Sequence, residues 1–356
     1  MQENNKDGST VKETTESIIA EQTSGSKTLQ LILVFIFSLV LFLVLSKPFK
    51  SFKSTDELPN IISITPQTII NFGGFPSEIV IGSYIREIGS LDIVSKTFDA
   101  DLTIWFMFNP KSISLGRISQ FTLDNAEIKY KSEPKTRAEG NNVVAVYDIK
   151  ANIILKLDYK NFPFDDHIIN FSITHYGLSP YEAIFESSKS NFMIDPKIKI
   201  TGWDIIGKLV KTGFIEDTLN SEDKTTARLH PRTIFSIALH RIGSRHFITI
   251  LIPLILIFFI SLFTLAFDPT ESTIGIAIAS ISAIVAQRFV IEDMSPKSNN
   301  LMISDKIFIL FLTISCLIFF ISIYSSKISG FYKNIITVLL YTITLIYILY
   351  IINPFS

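Results

Sequence analysis

The chain has 356 residues but only one cysteine, Cys316, and five histidines, and neither sign of charge prevails: 32 Lys and Arg stand against 33 Asp and Glu, a formal net charge of -1. Each scarcity excludes something. One cysteine allows neither an intrachain disulfide nor a cysteine metal cage, and Cys316 stands inside an apolar run. The histidines are scattered. His240 and His246 come closest, and six residues do not bring them to one helix face, so no metal site is expected. A near-neutral chain offers no basic field, so nucleic acid is not expected as a partner. No G-x-G-x-x-G run, phosphate-binding loop or nucleophile–base pair is found, so neither a cofactor nor enzymatic catalysis is expected.

Apolar residues make up 47% of the sequence and the mean hydropathy is +0.38, and this excess is concentrated in blocks. Residues 1–28 are rich in Glu, Lys, Ser and Thr without an apolar period, which predicts a disordered tail. Residues 29–45 are apolar apart from Gln30 and Ser38, which predicts an N-terminal transmembrane anchor over 29–46. The competing reading, a signal peptide, lacks a small-x-small cleavage site and has too long a polar leader. Residues 47–76 hold four prolines and the Gly73-Gly74 pair and read as a linker.

Between 77 and 240 the period changes to two. Tyr147, Ile149, Ala151, Ile153, Leu155 and Leu157 alternate with a mostly polar set, and Thr233, Phe235, Ile237 and Leu239 form a second such run. Alternation of this kind marks half-buried strands. Asn109-Pro110, Glu139-Gly140 and Ser179-Pro180 break the region as turns, and the pattern predicts an all-β sandwich. From 241 to 356 the chain turns membrane-like. Four apolar segments, 247–267, 272–291, 307–324 and 332–352, are of spanning length with short connections, which predicts an all-α four-helix transmembrane bundle in a lipid bilayer.

The second of these segments differs from the others. On a helix, Glu271, Gly275, Ala279, Ser282, Ala286 and Phe289 fall on one stripe. The stripe carries a carboxylate at one end, small or weakly polar residues along its length, and an aromatic near the other end. Either it packs closely against another helix through its small residues or it lines a pore. Ionisable residues such as Arg288 and Glu292 should face protein or water rather than lipid.

A sandwich followed by four helices, with a small-residue second helix, resembles the pentameric ligand-gated (Cys-loop receptor) ion channels, and the prokaryotic branch without the cysteine pair most closely. The resemblance covers roughly residues 79–352. The run from Leu157 to Asp165 is similar to the family's loop before its seventh strand, with Phe162-Pro163-Phe164-Asp165 intact. Gly202-Trp203-Asp204 looks like a strand of the bacterial proton-gated member. His240-Arg241 stands twelve residues before Pro253, the spacing between the family's pre-membrane arginine and its first-helix proline. Glu271, Glu292, Pro296 and Lys297 keep the family's spacing through the second helix and the loop after it. There are departures. The usual Trp-x-Pro is replaced by the stretch from Phe121 to Ala126, Lys96 stands where the proton-gated member has a glutamate, and Ile284 replaces its pore-helix histidine. Ser282 occupies the place of a bulky gate residue, and the helix over 29–45 is additional.

The resemblance implies an immunoglobulin-like extracellular ligand-binding domain and a homo-pentamer in the plasma membrane (the inner membrane of a bacterium), multi-pass, with the sandwich on the extracytoplasmic side. Lys47, Lys50 and Lys53 after the anchor favour the opposite orientation under the positive-inside rule. Five copies of Glu271, supplemented by Asp268, would form a cation-selecting ring, and Phe289 would be the constriction. Asp92, Asp165, Arg241, Pro296 and Lys297 would couple the domains. Phe121, Tyr176 and Phe214 would meet an unknown small-molecule agonist, an amine among the candidates through cation–π contact. The alternative is a non-conducting, membrane-anchored ligand sensor on the same scaffold.

Overall fold

In a computed structural model of the chain, the described residues are Thr28, 30–45, 52, 54–71, 73, 75–92, 95–217, 228–242, 245, 247–267, 270–324, 328 and 330–352. The expected disordered tail lies outside them except for Thr28, as does Asp268. The chain forms two compact units. One contains the helices and also takes in Lys160–Phe164, and the other comprises Phe52–Tyr159 and Asp165–Ile242.

The second unit is built from two sheets. The first has the order β1 (Ile62–Ser63), β11 (Trp203–Asp217), β12 (Arg228–Arg241), β8 (His167–Thr174), β4 (Thr122–Asp124). The other runs β10 (Phe192–Ile194), β2 (Ser77–Asp92), β3 (Thr97–Phe108), β7 (Asn142–Ile154), β5 (Ala126–Lys131), with β6 (Lys135–Glu139) on β7 and β9 (Ala183–Glu186) on β2. The predicted alternation is realised in β7, where Tyr147, Ile149, Ala151 and Ile153 are all buried. Strand β12 departs from it: Ser236, on the face opposite Phe235 and Ile237, is buried too, although β12 pairs along both edges with β11 and β8 like any interior strand. The sheets share one core. Phe235 of β12 stacks on Phe171 of β8 at 5.3 Å and meets Phe192 of β10, in the other sheet, at 5.1 Å.

The expected linker over 47–76 is corrected by the residues described there. Ile62 and Ser63 pair with Phe214 and Gly213 of β11, and Pro66–Asn71 forms a short helix, α2. Pro66, a linker signal in the sequence, is the first residue of that helix, where a missing N–H costs nothing. Thr65 precedes it, its hydroxyl accepting the Thr68 amide at 3.2 Å, as an N-cap does. The other helix of the sandwich, α3 (Leu115–Ile118), is a single turn capped by Ser114.

The helical unit contains α1 (Gln30–Leu45), α4 (Ile252–Phe263), α5 (Glu271–Met294), α6 (Ile303–Tyr324) and α7 (Gly330–Ile352). A π-helical turn, Phe247–Leu251, leads into α4. Four helices are long and apolar enough to cross a membrane: Phe247–Ala266, Glu271–Met294, Ile303–Tyr324 and Phe331–Ile352. As described, α1 is apolar but short of the ~20 residues a span requires. It lies along α7, where Phe37 stacks on Tyr341 at 4.6 Å and the Gln30 amide donates to Asn334. Phe258 of α4 stacks on Phe311 of α6 at 4.1 Å.

Glycine is required where β1 crosses β11. A Cβ on Gly213 would stand 2.2 Å from the Ile62 carbonyl oxygen and 2.7 Å from Ile61 Cγ1, and a backbone atom cannot swing aside as a side chain can. Gly213→Ala should therefore lift β1 off the sheet and lower stability by about 1–3 kcal/mol, read by thermal unfolding. An unchanged midpoint would show that β1 does not lie there.

Candidate functional site

Two places concentrate polar chemistry, one in each unit. The first is α5. Thr273, Ala277, Ser280, Ile284, Gln287 and Ile291 make its buried face, while all six residues of the predicted stripe, Glu271, Gly275, Ala279, Ser282, Ala286 and Phe289, are exposed in the single chain. The separation follows from the neighbours. α5 packs on α4 and α6, and its side chains at the intervals of a helical face point there. Gln287 contributes a polar link: its Nε2 donates to the carbonyls of Thr249 and Ile250 at 3.2 and 3.3 Å. Pro253 has no N–H to give the Thr249 carbonyl, so the glutamine amide stands in for the missing donor at the π-helical turn. At the other end, Thr270 caps α5, its hydroxyl accepting the Thr273 amide at 3.2 Å, and Glu271 occupies the first turn, where the helix dipole favours a carboxylate.

Of the four long helices α5 is the least covered: 22% of its most apolar window is buried, against 50% for Phe247–Ala266 and 33% for each of the others. Phe289 is 73% exposed and Ile276, Ile278, Val285 and Val290 are exposed as well. One chain thus leaves its least hydrophobic long helix the most open. In the same unit, Arg288 pairs with Asp305 of α6, whose other oxygen accepts the Met302 amide at 3.0 Å. The arginine expected to avoid lipid is thereby engaged by protein. Pro296, after α5, is buried and Lys297 is exposed. The Lys160 and Phe162 carbonyls accept the Ile303 and Ser304 amides at 3.0 and 3.1 Å, so the Lys160–Phe164 segment supplies two of the acceptors that the first turn of α6 otherwise lacks.

The second place is a buried charge cluster in the sandwich. Arg241, the last residue of β12, donates from Nη2 to Asp165 Oδ2 at 2.9 Å. Its Nε lies 2.9 Å from Oδ1 and directs its hydrogen to the Asp165 carbonyl at 3.3 Å. The two side chains are 3% and 1% exposed. The guanidinium also sits over the Trp203 ring at 4.2 Å, and the Arg241 amide donates to Asp166 at 2.9 Å. The cluster extends further than the sequence indicated. His167 Nε2 lies 2.8 Å from Asp165 Oδ2, and its Nδ1 lies 3.0 Å from Asp56 Oδ2. His167 was legible in principle, because it stands two residues after Asp165 and a strand places such residues on one face. Asp56 was not, since it sits among prolines in a stretch without periodicity.

Environment decides the charges. Burial opposes ionisation of Asp165, but the Arg241 charge and the bonds from His167 outweigh it and hold its carboxyl below the usual range. Burial likewise opposes the His167 imidazolium, yet hydrogen bonds to Asp165 and Asp56 raise its pKa to about 9. The Tyr159 hydroxyl is pushed up by burial and by the charges of Asp165 and Asp56, with Asp92 adding to the rise. Asp92 therefore stands near the cluster, and it accepts the Ser95 amide at 3.1 Å. Asp56 and Asp165 flank opposite nitrogens of one ring, so the three do not converge on a point, and among the described residues no group is placed to hold a metal ion.

The three expected ligand aromatics are separated. Phe121 is core, 3% exposed, against Phe106 and Tyr147 at 4.8 and 5.0 Å. Phe214 is wholly buried. Phe121 precedes β4 and packs into the core, and Phe214 is turned inward within β11, so the single chain offers neither to a ligand. Tyr176 is 42% exposed, edge-on to His230 at 5.3 Å, beside an Asp124–Arg232 pair at 2.6 Å. The chain matches no protein-family model and no curated protein.

Removing either partner strands the other in the core. Asp165→Asn and Arg241→Gln should each cost about 3–5 kcal/mol of sandwich stability, while the exposed Lys189→Gln should cost almost nothing. The double mutant should be less impaired than the sum of the singles, because residues in contact are non-additive. Strict additivity in chemical denaturation would show that the pair makes no contact.

Proposed function

We propose that this chain is the subunit of a homo-pentameric ligand-gated ion channel, with an immunoglobulin-like ligand-binding sandwich and a pore lined by α5, selective for cations. One observation carries the reading: all six stripe residues from Glu271 to Phe289 are among those α5 leaves uncovered. A spanning helix that turns a carboxylate, a serine and small residues away from its own bundle needs either neighbours or water on that side, since lipid penalises polar groups. Five copies around an axis supply both. The ring of Glu271 would concentrate cations and repel anions at one mouth. Phe289, the large apolar side chain of the stripe, would form the constriction that closes by dewetting.

The Asp165–Arg241 pair supports the reading from the other unit. Arg241 ends the strand that leads toward the first long helix, and Asp165 follows the turn that joins the helical unit. By the resemblance, Pro296 and Lys297 in the loop after α5 would belong to the same coupling set. An amine ligand would reach Tyr176 rather than Phe121 or Phe214. By this reading α1 is an additional anchor, and the sandwich lies outside a bacterial plasma membrane.

Glu271→Lys should shift the reversal potential toward that of anions, because five positive charges would then guard the mouth. Unchanged permeability ratios in a conducting variant would remove Glu271 from the pore. Phe289→Ala should raise basal leak by widening and wetting the constriction. Leak that stays at the wild-type level, while a change at Ser282 raises it, would move the gate down the helix. Native mass spectrometry in mild detergent should give five identical chains, and a monodisperse monomer would overturn the pore and leave a membrane-anchored sensor.

A further inference from the structure

The chain before β1 is fastened to the sandwich mainly through one carboxylate. Asp56 lies in the strap formed by residues 54–61, none of which belongs to the apolar core. Its side chain is nevertheless 1% exposed. Oδ1 accepts the Asp158 amide at 2.7 Å, and Oδ2 accepts the Ile168 amide at 2.8 Å and faces His167 Nδ1 at 3.0 Å. Ser54 Oγ donates to the same oxygen at 3.1 Å. On the far side of the imidazole, Nε2 faces Asp165 at 2.8 Å. A carboxylate offers only acceptors, so a ring held between two of them must donate from both nitrogens.

We propose that Asp56, His167 and Asp165 form a releasable clamp that holds the strap on the strand next to the Asp165–Arg241 pair, and that loss of one ring proton from His167 opens it. The charges alternate along the cluster: Asp56 negative, His167 positive, Asp165 negative, Arg241 positive. When the ring loses a proton, the hydrogen that remains stays toward Asp165, which Arg241 fixes in place, and the Nδ1 lone pair turns on Asp56. Two acceptors 3.0 Å apart in a site without solvent repel each other, and the strap, with no buried apolar side chain of its own, is the part that can leave.

The groups facing His167 come from every packed element. They are Asp56 from the strap, Asp165 and behind it Arg241 of β12, the Tyr159 ring at 5.4 Å, and Trp203 of β11 at 5.3 Å. Around the Tyr159 ring stand Lys96, 5.4 Å from its centroid, and Asp92. Asp166 engages the Arg241 amide and His240 at 2.9 Å each. Burial disfavours the doubly protonated ring, but the two carboxylates prevail and raise its pKa to about 9. A raised histidine contributes its stability fully below the ordinary value near 6.5 and loses it as pH climbs through about 9. The clamp is thus shut at neutral pH and opens on the alkaline side. It does not depend on whether the helices conduct.

Hydrogen exchange of the full chain in detergent micelles, corrected for intrinsic rate, tests it at the Asp158 and Ile168 amides that Asp56 holds. Protection there should be level below about pH 6.5, fall by up to about tenfold per pH unit as pH climbs from about 6.5 to about 9, and level off above that, while the amides of the β3–β7 ladder stay protected. His167→Gln and Asp56→Asn should each show low protection at both amides with no step. A wild-type chain with no step between about pH 6.5 and about 9 would overturn the clamp, as would a step that survives in His167→Gln. Should His167→Gln lose the β3–β7 protection as well, Asp56→Asn decides: a retained step refutes the clamp, and an absent step over an intact ladder supports it.

Discussion

A guanidinium with 3% of its side chain exposed must find its counter-charge inside the protein, because an unpaired ion in a medium of low dielectric is among the costliest features a fold can carry. Arg241 finds Asp165, Asp165 also takes His167, and His167 reaches Asp56. That requirement fixes much of the sandwich around it. The end of β12, the start of β8, the Trp203 ring of β11 and the chain before β1 are all held to positions from which they can serve one line of charges. The amides of Asp158 and Ile168 complete the line by donating to Asp56, so the backbone shares in the pairing.

The helical unit obeys a different constraint. With largely apolar side chains, α4, α6 and α7 rely on hydrophobic packing, and some of their hydroxyls are satisfied within the helix, as where Thr344 donates to the Leu340 carbonyl at 2.7 Å. α5 has a covered side and an open side, and each mixes apolar residues with polar or small ones. One is used up by α4 and α6, with Gln287 repairing the carbonyl that Pro253 leaves without a donor. The other carries Glu271 and the small residues and is left open. An open, partly polar face on a membrane-length helix is an incomplete structure in a single chain, which is why assembly is central to the proposed function.

Much of this was legible in the sequence. Period-two alternation set the faces of β7, since side chains of a strand point to opposite sides whatever surrounds them, and apolar length marked the four long helices. The stripe from Glu271 to Phe289 follows from helix geometry alone. The family resemblance also singled out Asp165 and Arg241. What it left undecided was which face of α5 the bundle would cover, because small residues serve packing and pore lining equally well, and only the neighbouring helices choose.

Tertiary structure decided the rest, for one reason: contacts between residues distant in the chain leave no periodic trace. Ser236 is buried although alternation sets it on the face opposite Phe235 and Ile237. Phe121 is core because Phe106 and Tyr147 of the other sheet close on it, and Phe214 because it is buried within β11. The proline-rich stretch from 54 to 71 reads as a linker, yet Gly213 admits β1 and Asp56 reaches a histidine 111 residues further on. Local sequence specified which elements form and how their faces alternate. The charge line from Asp56 to Arg241 exists only because folding brings four buried ionisable side chains close enough that each must be answered by the next.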